Sequence, residues 1–157
     1  IVTRGILVTT RGKVLIENNK FLNTGASGIL ISDDASDGYE SGMVQDVTIS
    51  GNAFINCEEN AILIKPENRK YAGPVHRNIT IKNNLFILNN IHAVNVSSSD
   101  NILLQDNVYR GKAPGNQLVI SRNCSMYSAG PKDNLALLIC LEISLVRNFL
   151  SSRIISR

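Results

Sequence analysis

Two polar stretches of this 157-residue chain hold most of the side chains that could do chemistry. The first, Ser32 to Asp46, contains Asp33, Asp34, Asp37, Tyr39 and Glu40. The second, Lys65 to Asn78, contains Glu67, Asn68, Arg69, Tyr71 and His76. Carboxylates deliver and remove protons, which is the work of breaking a glycosidic bond. Tyr rings cover sugar faces, and Arg and Asn bind hydroxyls. This mixture points to carbohydrate chemistry. Asp33-Asp34 is the candidate catalytic pair, because it stands where an apolar strand gives way to loop. Neighbours in an extended segment point apart, so only one of the two faces a given cleft. Asp37, Tyr39, Glu40, Glu67, Asn68 and Arg69 are candidate substrate contacts. Asp37 and Glu40 lie further out, where rim or loop-stabilising roles are open to them. His76 precedes a strand and can pack the loop back, and His92 reads as a turn residue. For each of these side chains the plainer alternative is a solvated loop position.

The elements that carry these loops are visible as a repeat. Val14-Leu15-Ile16-Glu17-Asn18-Asn19-Lys20-Phe21 returns as Val47-Thr48-Ile49-Ser50-Gly51-Asn52-Ala53-Phe54. It returns again as Ile79-Thr80-Ile81-Lys82-Asn83-Asn84-Leu85-Phe86 and as Ile102-Leu103-Leu104-Gln105-Asp106-Asn107-Val108-Tyr109. Each copy reads apolar, any, apolar, any, any, Asn, any, aromatic. The aromatics are 33, 32 and 23 residues apart, and a second Ile/Val/Leu-rich strand begins 8 or 9 residues after each. Ile6 precedes Ile29 by 23 residues, so the basic coil is 23 residues long. A repeat of this period signals a solenoid. Strands of three to five residues with no helical stripe before residue 132 make it all-β: a right-handed parallel β-helix of about five coils. Asn19, Asn52, Asn84 and Asn107 should stack as an internal ladder whose amides satisfy the backbone of a buried bend.

The turn before Val14 and the turn after Val96 take five residues each, whereas the two polar stretches take 15 and 14. They are insertions at one corner of consecutive coils. Insertions in a solenoid collect on one face, often the binding face. The two loops should therefore stand side by side as one wall of a cleft.

Composition narrows the function classes. The chain is 43% hydrophobic and 5% aromatic, has no Trp, and carries a net charge of +3. Its Lys and Arg residues form no dense run with interleaved aromatics, which argues against nucleic acid. Cys57, Cys124 and Cys140 have no spacing that suggests a zinc site or a disulfide framework. The pattern calls for no cofactor and no metal. Ile1 falls in mid-coil, so the sequence reads as a partial chain whose upstream coils, and any signal peptide that would place the parent outside the cytoplasm, precede it. Open solenoid ends make self-association available through unpaired backbone.

The organisation expected is a β-helix over residues 1–122 and a non-repeat tail or cap over 123–157. In that tail, Leu135 to Val146 is apolar but too short for a membrane span and is interrupted by Glu142. It reads either as a helix capping the open end or as a disordered, non-native segment.

Several pieces resemble one family. They are Arg4-Gly5-Ile6-Leu7-Val8-Thr9-Thr10-Arg11 with Val14 to Asn19, Ile29-Leu30-Ile31-Ser32-Asp33-Asp34-Ala35, Tyr39-Glu40-Ser41-Gly42, Pro66-Glu67-Asn68 and Pro74-Val75-His76-Arg77-Asn78-Ile79. The stretch from about residue 4 to 110 is similar to the β-helical exo-α-1,3-galactosidases, glycoside hydrolase family 110. The resemblance implies a metal-independent inverting hydrolase that removes terminal α-1,3-linked galactose from glycans. It makes Asp33, Asp34 and Glu40 candidates for acid/base roles or galactose contacts, with an upstream coil supplying part of the carboxylate set. Two other readings stay open. One is a pectate-lyase-like enzyme, in which Asp33 and Asp34 would hold calcium and Arg69 would act as base. The other is a non-catalytic carbohydrate-binding or structural β-helix module.

Overall fold

The computed structural model describes residues 3–33, 42–67 and 70–140. Strand β1 (Ile6–Val8) is followed by four full turns. They are β2 (Val14–Glu17), β3 (Lys20–Leu22) and β4 (Ile29–Ile31), then β5 (Gln45–Ser50), β6 (Ala53–Ile55) and β7 (Ile62–Ile64). Next come β8 (His76–Lys82), β9 (Leu85–Asn89) and β10 (Val94–Ser97), then β11 (Ser99–Gln105), β12 (Val108–Lys112) and β13 (Val119–Arg122). Strand β14 (Met126–Ala129) ends the series. Among the described residues every pairing is parallel and links one turn to the next, giving three sheets: β1-β4-β7-β10-β13, β2-β5-β8-β11-β14 and β3-β6-β9-β12. This is a right-handed parallel β-helix.

The recurring eight-residue stretch is two strands rather than one. It breaks at Asn18, Gly51, Asn83 and Asp106, whose φ values of 57°, 66°, 53° and 52° are left-handed. Only Gly, Asn and Asp enter that region cheaply. The position before each ladder asparagine is therefore restricted, although it reads as variable in the sequence. A second corner is marked by left-handed Asn23, Asn56 and Asn90, and a third by Asp46, Asn78 and Asn101.

The interior is a set of columns. Ile16, Ile49, Ile81 and Leu104 form one, and Ile29, Ile62, Val94 and Val119 another; all are buried. Phe21, Phe54, Phe86 and Tyr109 stack with centroids 4.8, 5.0 and 5.3 Å apart and rings within 8° of parallel. Full burial of one such ring contributes roughly 1.5–3 kcal/mol. Small residues face this stack. A Cβ on Gly28 would lie 2.8 Å from Phe54 Cδ1 and 2.9 Å from the Ala61 carbonyl, so only glycine fits there.

The asparagine ladder forms as a continuous chain. The backbone N–H of Asn19 donates to Asn52 Oδ1 (2.8 Å), that of Asn52 to Asn84 Oδ1 (2.9 Å), and that of Asn84 to Asn107 Oδ1 (3.1 Å). Each buried Nδ2 also reaches back to a carbonyl of the preceding turn, Ile16, Ile49 or Ile81.

Residues 131–140 are helical. This segment covers the last turn with Ala136, Leu137 and Cys140 and supplies the next rung of the ladder. Asp133, fully buried, accepts the Asn107 N–H at 3.1 Å, Asn107 Nδ2 at 2.8 Å and the Tyr109 hydroxyl at 2.8 Å. The last ring of the stack is a tyrosine, and its hydroxyl meets this carboxylate. Burial, and then the Asp133 charge, push the Tyr109 phenol far above its ordinary value.

Candidate functional site

Both long loops occupy the same corner of consecutive turns, between β4 and β5 and between β7 and β8. Their roots are stitched to neighbouring turns. The Lys65 N–H donates to the Ile31 carbonyl (3.0 Å) and the Arg77 N–H to the Val44 carbonyl (3.1 Å). Asp33 stands two residues past Ile31, the last residue of β4, and Ile31, Ser32 and Asp33 are all buried.

Asp33 is 5% exposed, and its Oδ1 accepts the backbone N–H of Glu67 at 2.7 Å. The carboxylate of one loop thus anchors the next by a charge-assisted bond, the strong kind. The Glu67 side chain itself is exposed.

His76 heads β8, in register with Ser99 of β11, and is fully buried. Its Nδ1 accepts the Val44 N–H at 3.1 Å, so that nitrogen carries no proton and the neutral ring holds its hydrogen on Nε2. Burial lowers its pKa, while the nearby negative charge of Asp33 acts in the opposite sense. Among the described residues Nε2 has no hydrogen-bond partner. His92 lies outside this corner; its Nδ1 donates to the Gln117 carbonyl at 2.6 Å.

The structure therefore brings together Asp33, the Glu67 amide, Val44 and His76 at the foot of both loops. Asp34, Asp37, Tyr39, Glu40, Asn68 and Arg69 lie outside the described residues. His76 reads from the sequence as loop packing, and its ring does pack against the end of the first loop. Its contact with a backbone amide on the neighbouring turn has no sequence signal. Among the described residues no three His, Cys, Asp or Glu side chains gather as a metal site. Among them, too, no helix is long and apolar enough to cross a membrane.

The family model described as the right handed beta helix region matches residues 3–109. The chain belongs to this β-helix family. Within it, the β-helix is similar to proteins named alpha-1,3-galactosidase. The alpha-1,3-galactosidase A of Bacteroides thetaiotaomicron is 57% identical over 82 residues, which are 52% of this chain and 14% of that protein. The alpha-1,3-galactosidase A of Akkermansia muciniphila is 54% identical over 84 residues, 54% of this chain and 14% of that protein. The alpha-1,3-galactosidase B of Bacteroides thetaiotaomicron is 48% identical over 93 residues, 52% of this chain and 15% of that protein. The matched part of the β-helix thus spans only a small fraction of these relatives' length.

Proposed function

We propose that this β-helix is a carbohydrate-active chain carrying one side of the active site of an inverting exo-α-1,3-galactosidase. Its substrate is a glycan ending in α-1,3-linked galactose. The observation that carries the reading is Asp33, a buried carboxylate held at the root of two adjoining long loops. The names of the relatives supply the reaction class. Inversion requires an acid and a base on opposite sides of the scissile bond, about 6.5–9.5 Å apart, with a water between the base and the anomeric carbon. Asp33 supplies one of the two carboxylates, and Asp34, Glu40 or a carboxylate of an adjoining coil supplies the other. Exposed Glu67, with Asn68 and Arg69, contacts the sugar hydroxyls from the second loop.

One observation favours the non-catalytic reading instead: Asp33 already has a structural task, as acceptor for the Glu67 amide. Asp33→Asn separates the two, because an amide oxygen keeps the acceptor while removing the charge. The test places this chain's residues into Bacteroides thetaiotaomicron alpha-1,3-galactosidase A in place of the matching segment and measures galactose release. Release that disappears in Asp33→Asn, with the folded state intact, supports catalysis. Undiminished release in that variant overturns it.

A further inference from the structure

The outer face of the sheet β2-β5-β8-β11-β14 carries an open trough of about 790 Å³. Its floor is one register column: Leu15, Thr48, Thr80 and Leu103. The two threonines make a low, polar centre between two leucines. That low centre lies on β5 and β8, the two strands entered from the long loops.

One rim is a hydrogen-bonded ladder at the corner where those loops end. Asn101 Nδ2 donates to Asn78 Oδ1 (2.8 Å), and Asn78 Nδ2 donates to Asp46 Oδ1 (3.2 Å). Lys13 continues the lining beside Asp46. The column itself continues past Leu103 to Tyr127, its register partner on β14, whose side chain is 57% exposed.

We propose that this trough binds the neutral part of a glycan chain, running along the solenoid axis away from the loops. The ligand class rests on the glycan reading above; the site is separate from the Asp33 corner. The lining fits a polyhydroxylated, uncharged chain. Its one lysine and one carboxylate cancel, which suits neither nucleic acid nor an acidic polysaccharide. A peptide strand would need free backbone N–H and C=O groups, but these are spent in the sheet. Amide, carboxylate and hydroxyl groups repeat at the strand spacing, roughly 4.8 Å, so successive sugar rings meet similar partners. The exposed Tyr127 ring offers the flat apolar surface on which a sugar face rests.

The test is an NMR titration of the full chain, read at methyl and backbone amide signals, with a neutral tetrasaccharide ending in α-1,3-linked galactose, and separately with free galactose. The tetrasaccharide is expected to move the methyl signals of Thr48, Thr80 and Leu103, and free galactose to leave them in place. Tyr127→Ala should weaken tetrasaccharide binding about fivefold, from the apolar area it removes. Thr80→Arg, which fills the floor, should abolish the shifts. Both positions face outward, so the fold can be checked from the core signals. Methyl signals unmoved by the tetrasaccharide, or unchanged binding in both variants, would overturn the trough. If shifts appear only at the Asp33 and Glu67 amides, the trough fails and the corner stands. If the trough signals shift while those amides stay silent, the trough stands and the corner reading fails.

Discussion

The Glu67 amide donates to the buried carboxylate of Asp33 across two successive turns of the solenoid, 34 positions apart in sequence. A catalytic candidate is thereby also a clamp between loops. Removing the acceptor and removing the charge should have different consequences. Asp33→Ala strands the Glu67 N–H and should cost about 1–2 kcal/mol. For a chain of this size that is a fall in Tm of roughly 2–4 °C per kcal/mol. Asp33→Asn keeps an acceptor but gives up the charge that strengthens the bond, and should cost less than Asp33→Ala, about 1 kcal/mol or under. Thermal melts of the two variants check this.

The buried ring of His76 makes stability depend on pH. Its pKa is lowered in the folded chain, chiefly by burial. The unfolded chain therefore binds the proton more readily, and stability must fall as pH drops below the ordinary histidine value of about 6.5. The slope from this one group is at most about 1.4 kcal/mol per pH unit. It flattens again once pH falls below the lowered value. Urea midpoints at pH 7.5 and 5.5 should show the loss in wild type, and His76→Gln, which can still accept the Val44 N–H, should show less of it.

The interior ladder should be graded by burial. Asn84→Ala removes the acceptor of the Asn52 amide and the donor to the Ile49 carbonyl in a fully buried bend. It should cost about 2–4 kcal/mol. Asn19→Ala, at the exposed first rung, should cost under about 1 kcal/mol. Equal losses at both positions in chemical denaturation would contradict the ladder's role.

Asp133 and Tyr109 should behave as a coupled pair at the capped end. Tyr109→Phe leaves Asp133 its two bonds to Asn107, and a loss of about 1 kcal/mol follows. Asp133→Asn turns an amide NH2 toward donors that need acceptors, and should cost more than Tyr109→Phe. A double-mutant cycle on the two positions should give a non-zero coupling energy.

Much of this architecture is legible in the sequence because it repeats. Asn19, Asn52, Asn84 and Asn107, with the aromatic two residues on, announce the coil, its interior and the corner that carries the insertions. Two features escape that pattern. Positions 18, 51, 83 and 106 hold Asn, Gly, Asn and Asp, and their shared left-handed φ shows that one backbone constraint links them. Strand β14 lacks the Ile/Val signature, and its ladder residue is an aspartate delivered by a helix, so the repeat fades on paper while the sheet continues through Met126–Ala129. At the corner, Asp33 stands out by type and place. Its partner is a backbone amide, and the partner of His76 is another, and backbone groups leave no mark in a sequence.

The most direct measurement follows, by proton NMR, the sugar released from an α-1,3-linked galactose disaccharide. The enzyme is the Bacteroides thetaiotaomicron relative carrying this chain's segment, compared with the same enzyme bearing the substitution Asp33→Asn. β-Galactose is expected to appear first with Asp33 present, and the substitution to lower the rate by about 10²–10⁴-fold while the variant stays folded. Initial release of α-galactose, or an undiminished rate in the folded variant, would contradict it.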